Sequence, residues 1–199
     1  TLLVVFLWAV LIFCSGINLY FLLTISSIGL ILLSYMIIYI PKFNYIKARI
    51  FSFFDKETGT HNFQSDKAIE SITSGGFLGK GIGEGTLKNR VPEAHTDYII
   101  SVISEEFGVI AIILILILFL VLIYMVFKKI SFETEEQNKL ILIGSVSLIL
   151  MQATIHIGVN IRLFPTTGMT LPFLSYGGSS IVSTSILTGI ILNLTKRKI

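Results

Sequence analysis

The sequence is poor in charge, proline and cysteine. Of its 199 residues only 14% are charged, four are proline, and Cys14 is the single cysteine. One cysteine excludes an intrachain disulfide and a cysteine metal cage; set in an apolar run, it is expected to be a buried, inert thiol. The scarcity of charge excludes an ordinary soluble domain. Hydrophobic residues make up 53% of the chain and mean hydropathy is +0.85, more apolar surface than a soluble fold can hide, so lipid must solvate much of it. Net charge is only +3, and the basic residues gather at the ends of apolar runs, as at a bilayer interface; no nucleic-acid partner is expected. There is neither an initiator methionine nor a basic segment before the first apolar run, so the start is no signal peptide. The chain reads as entering inside a helix, with earlier spans expected before Thr1.

What is present predicts an all-α, polytopic membrane protein with about five transmembrane helices and one large extracytoplasmic loop. The spans fall at about 1–14, 19–40, 98–127, 140–159 and 180–194. The first is only about 21 Å long at 1.5 Å per residue, short of a hydrocarbon core of roughly 30 Å. Pro41 ends the second by removing a backbone donor and disfavouring the helical state of Ile40. Lys128, Lys129, Lys139 and the terminal Lys196, Arg197 and Lys198 mark one side as cytoplasmic, which puts the C-terminus inside. The loop 42–96 and the Pro/Gly-rich re-entry segment 162–179 then lie outside. The first part of that loop mixes Phe43, Tyr45, Ile46, Ile50, Phe51, Phe53 and Phe54 with Lys42, Lys47 and Arg49. It is either a short amphipathic helix in the interface or a strand of loop packed on helix ends.

Chemistry is expected between Ser74 and Asp97. Glycines at 75, 76, 79, 81, 83 and 85 allow sharp turns and close approach, with Lys80, Lys88 and Arg90 beside them, a combination that suits a phosphate or pyrophosphate. The bland alternative is a flexible connector. Lys80 is followed by Gly81 rather than Ser or Thr, so this is not a nucleotide P-loop. Glu93, His95 and Asp97 are close in sequence but make a weak metal set. Asp97 opens the third span, where the helix dipole favours its charge and apolar surroundings oppose it, as a general base requires. A plain helix N-cap is the other reading. On a regular helix Ser101 and Glu105 share its face, and intramembrane carboxylates are costly enough to be functional suspects. In the fourth span Gln152, His156 and Asn160, four apart, form a polar stripe that either binds the bundle together or lines a transport path.

The ordered runs SGGFLGKGIGEGTLKNRVPEAHTDYI, EEFG and LFPTTGMTLPFLSYGGSS, separated by hydrophobic spans, resemble the SEDS family (shape, elongation, division and sporulation) of bacterial polytopic membrane proteins. The resemblance covers essentially the whole chain, as the C-terminal half of a ten-helix bundle. It favours the division branch over the elongation branch, where the threonine at the position of Thr170 is more often proline. It implies a peptidoglycan glycosyltransferase at the outer face of the cytoplasmic membrane, polymerising lipid II into β-1,4 glycan strands during septal wall synthesis. Asp97 matches the family's essential aspartate and would be the general base. Lys80, Lys88, Arg90 and Arg162 would hold the pyrophosphate, and Glu93, His95, Ser101 and Glu105 would support the site. A divalent cation, Mg or Mn, is the one cofactor expected, with no ligand set assigned. The implied partners are lipid II, a class B penicillin-binding transpeptidase, division-machinery membrane proteins and the bilayer. Two alternatives stand beside this: a lipid II flippase centred on the stripe, and a non-catalytic division scaffold. Five spans ending in an exposed face are not expected to catalyse alone.

Overall fold

The computed structural model describes residues 2–48, 60–91 and 93–196, without the side chains of residues 2, 60–62 and 88. The expected interfacial stretch at Arg49, Ile50, Phe51, Phe53 and Phe54, the basic end at Arg197 and Lys198, and the Lys88 side chain therefore lie outside the described residues. The chain forms two compact units, Thr1–Phe63 and Gln64–Ile199.

The first unit contains α1 (Leu2–Cys14) and α2 (Leu19–Tyr39). Gly16, at φ 82°, makes the turn between them, and the Asn18 side chain caps α2 by accepting from the Tyr20 amide at 3.1 Å. No residue of α2 is buried. Three of its hydroxyls bond within the helix instead: Thr24, Ser27 and Ser34 each donate to a carbonyl three or four residues back at 2.8 Å, the arrangement that lets a polar side chain face lipid. Ile40 is extended (φ −98°, ψ 115°) ahead of Pro41, which ends α2 and opens a 3-10 turn, Pro41–Phe43. Residues 44–48 are helical. Cys14 is exposed rather than buried, at the end of a helix in which no residue from 3 to 14 is buried.

The second unit begins within α3 (Thr60–Gly75), a helix inside what the sequence presents as one long loop. A glycine-rich strap and the short α4 (Leu87–Arg90) follow. Then come three long helices: α5 (Ile99–Phe132), α6 (Glu136–Asn160) and α7 (Gly178–Thr195). Together with α2 these are long and apolar enough to cross a membrane; α1 is shorter. Short connections make α5 and α6 antiparallel neighbours, and α6 packs on both α5 and α7. Val126, Leu142, Val146, Ile149 and Ile191 are the buried core at one end; Ile100, Ala153 and Leu171 close the other, beneath the site. The outward faces of α5 and α7 keep large apolar side chains exposed, as lipid contact requires. α5 runs through Lys128 and Lys129 to Phe132, past the point where the sequence suggests a stop.

α5 is broken at Gly108 (φ 78°, ψ −178°), and the strap repairs the break. In an unbroken helix the amides of Val109 and Ile110 would donate to the carbonyls of Glu105 and Glu106. Here they donate to Gly76 and Phe77 at 3.0 and 3.5 Å, while the freed carbonyls of Glu105 and Glu106 accept from Lys80 and Gly81 at 2.9 and 3.1 Å. These four backbone groups freed by the kink all find partners in the strap, as a low-dielectric setting demands. Only glycine permits so close an approach: a Cβ on Gly108 would stand 2.1 Å from the Phe77 oxygen, and one on Gly79 would stand 2.2 Å from the Glu106 oxygen.

Candidate active site

Asp97 lies in a turn, residues 93–98, in which the Thr96 and Asp97 amides both donate to the Glu93 carbonyl, at 3.2 and 3.0 Å. Tyr98, not Asp97, is the N-cap residue of α5, so Asp97 is not spent on capping. Its half-buried carboxylate faces the segment between α6 and α7: a Cβ on Gly168 would lie 3.5 Å from Asp97 Oδ2. Burial pushes the Asp97 carboxyl above the usual carboxylate range, and the adjacent Glu93, by its charge and by a hydrogen bond to Asp97, pushes the same way. The result is a stronger base than a free aspartate.

Three side chains of α6 and one serine hold this arrangement. Asn160, fully buried, donates to the Asp97 carbonyl at 2.9 Å and the His156 carbonyl at 2.8 Å, and accepts from the Ser101 hydroxyl at 2.7 Å and amide at 3.2 Å. His156 donates from Nδ1 to the Met169 carbonyl at 2.7 Å. Gln152 donates to the Thr170 carbonyl at 2.9 Å and reaches the hydroxyls of Thr170 and Ser180. Ser175 accepts from the Leu171 amide and donates to the Thr96 carbonyl, while the Tyr176 amide donates to the His95 carbonyl at 3.1 Å. The stripe therefore ties the Asp97 turn and residues 169–180 to one helix. Its bundle-binding reading describes these contacts.

Lys80, Arg90 and Arg162, the three expected cations whose side chains are described, each face a carboxylate. Lys80 Nζ lies 2.8 Å from Glu105 Oε1, whose carboxylate also accepts from the Thr86 hydroxyl and the Leu87 amide. Glu105 is thus buried in protein, against the strap. Ser101 faces Asn160 and Glu105 faces Lys80, so the face shared with Asp97 in the sequence divides between two partners. Arg90 lies 3.6 Å from Glu70. Arg162, in the left-handed region at φ 59°, pairs with Asp66 on α3. The strap amides of Gly79, Lys80, Gly81 and Glu84 go to backbone carbonyls, leaving them no part in an anion cradle. His95 is exposed and enters only through its carbonyl. Among the described residues no group of three or more His, Cys, Asp or Glu stands together as a metal site. The sequence did not point to Asp66, Thr86, Gly168 or Ser175; each is a lone small or polar residue in a segment without periodicity.

A bundle of long apolar helices with a half-buried carboxylate at one end has the architecture of a multi-pass membrane protein. The chain belongs to the FtsW/RodA/SpoVE (SEDS) cell cycle protein family, whose model matches residues 1–199. It is 35% identical over 181 residues to a probable peptidoglycan glycosyltransferase FtsW of Enterococcus hirae, covering 86% of this chain and 46% of that one. It is 34% identical over 190 residues to the protein of that name from Trichlorobacter lovleyi, covering 94% and 49%. A solved chain from a peptidoglycan synthase complex that coordinates polymerization and crosslinking superposes with a TM-score of 0.75 at 26% identity, over 98% of this chain and 53% of that one. The chain thus spans about half the length of the curated relatives it matches.

Proposed function

We propose that this chain carries the catalytic aspartate of a peptidoglycan glycosyltransferase that polymerises lipid II at the outer face of the bacterial cytoplasmic membrane, in septal wall synthesis. The observation that carries the reading is Asp97: a carboxylate with raised basicity, free of the N-cap role, at the mouth of a membrane helix and braced by buried side chains. In the reaction Asp97 takes the proton of the acceptor sugar's 4-hydroxyl as that oxygen attacks the anomeric carbon of the lipid-linked donor. The bond to the pyrophosphate breaks with inversion, giving a β-1,4 linkage. Lys80, Lys88, Arg90 and Arg162 are proposed to meet the leaving pyrophosphate. For those with described partners this requires exchange of a carboxylate for a phosphate. A divalent cation, Mg²⁺ or Mn²⁺, held by the substrate's phosphates would neutralise the leaving group, and no side chain is assigned to it.

Lysines 128, 129, 139 and 196 lie at the end of the bundle opposite Asp97, which supports a cytoplasmic C-terminus and an outward-facing site. A class B penicillin-binding transpeptidase and other division proteins are the proposed partners. Since Gln152, His156 and Asn160 are engaged in protein contacts, the arrangement supports a site at the mouth over a transport path through the bundle. The test is reconstitution of the full natural polypeptide with fluorescent lipid II in liposomes. Glycan strands are expected; lipid II crossing the bilayer without strands would transfer the assignment to a flippase.

A further inference from the structure

We infer that Asn160 is a positioning residue for Asp97, acting through the main chain, so that the polar stripe of α6 sets the placement of the reacting carboxylate. This rests on the reading of Asp97 as the base. Asn160 uses both amide hydrogens and its oxygen: Nδ2 donates to the Asp97 carbonyl (2.9 Å) and the His156 carbonyl (2.8 Å), and Oδ1 accepts twice from Ser101 (2.7 and 3.2 Å). With 0% exposure it cannot trade these partners for water, and a buried amide with every bond made has one orientation. Ser101 is also at 0% exposure and lies one turn into α5, so Asn160 locks the Asp97 peptide to the start of the helix it precedes. From the other side Ser175 holds the Thr96 carbonyl at 2.7 Å, and His156, one turn before Asn160, holds Met169. Asp97 and Gly168 are therefore referred to the same turn of α6. That shared anchor brings them so close that a Cβ on Gly168 would stand 3.5 Å from Asp97 Oδ2.

The shared anchor keeps the carboxylate half out of water. If the Asp97 peptide comes loose, the side chain gains solvent and the desolvation that strengthens the base is lost. The groups facing Asp97 are Glu93 and Thr96 in its own turn, the adjacent Tyr98 and Gly168 from the α6–α7 segment. None of these changes charge in an Asn160 variant.

The experiment is lipid II polymerisation by the full natural polypeptide as a function of pH, for the parent, Asn160→Ala and Ser101→Ala. Asn160→Ala is expected to lower kcat by about 100-fold, the usual effect of misplacing a catalytic group by an ångström, with KM little changed. Its acid limb should move to lower pH. Ser101→Ala, which keeps the amide–Oδ1 bond and both Nδ2 bonds, should show a smaller loss and a shift of the same sign, and it decides the matter if Asn160→Ala does not assemble. A kcat loss with an unmoved acid limb in both variants would reduce Asn160 to a packing role and overturn the inference, as would profiles matching the parent. Asp97→Asn, run alongside, separates the two claims: if it still polymerises, the base assignment fails; if it is inactive while both other variants match the parent, only the positioning fails.

Discussion

Two carboxylates at the site have opposite fates. Asp97 is held above its ordinary pKa by burial and by Glu93, and so is destabilising when charged. A group whose folded pKa is raised contributes stability that is present below the unfolded value, near 3.9, and is lost as pH rises through the folded value. Asp97→Asn should therefore raise the Tm measured at pH 7 and leave it nearly unchanged well below pH 4; a variant less stable than the parent at pH 7 would contradict the burial argument. Glu105 lies on the other side of this comparison, with a lysine, a hydroxyl and an amide around it. Lys80→Ala leaves it buried without its counter-charge and should cost about 3 kcal/mol in chemical unfolding. If Lys80→Ala instead raises KM for lipid II at unchanged stability, the lysine belongs to the substrate and not to the strap.

At the scale of elements, the strap and the break in α5 form one device. Gly108→Ala puts a methyl 2.1 Å from the Phe77 oxygen at a φ that L-residues avoid, a strain of roughly 2 kcal/mol before the clash. The strap should detach, and hydrogen exchange should then speed up at the amides of Lys80, Gly81, Val109 and Ile110 while α6 stays protected. Uniform acceleration would mean that the strap is not a separate unit. The comparison with the sequence is instructive here. The long helices were legible from long apolar runs, and the start of α5 from the carboxylate ahead of such a run; the turn that keeps Asp97 out of the cap was not. The strap's task was not, because glycine spacing permits either an anion cradle or a close backbone approach. What decides is Gly108, thirty residues downstream and hidden in a run that reads as one unbroken helix. α3 was missed because its Thr60–Gly75 composition is polar and its pairing with Arg162 is formed only in three dimensions. The stripe at 152, 156 and 160 was visible; that it reaches main chain at 97, 169 and 170 was not, since those partners lie in segments without a repeating pattern.

The whole molecule is a multi-pass helical protein whose basic ends and acidic site lie at opposite ends of the α5–α7 bundle. In a Cys14→Ser background, a cysteine at Glu84 should react with an impermeant maleimide in intact cells, and one at Glu135 only after permeabilisation. The reverse pattern would invert the topology and remove Asp97 from the outer face. The central claim is that Asp97 is the base of lipid II polymerisation, and the most direct measurement is glycan strand formation by Asp97→Asn in the full natural polypeptide beside its parent. The account predicts strands from the parent and none from a variant that is folded and at least as stable. Strands made by the asparagine variant, which cannot take the proton, would contradict it.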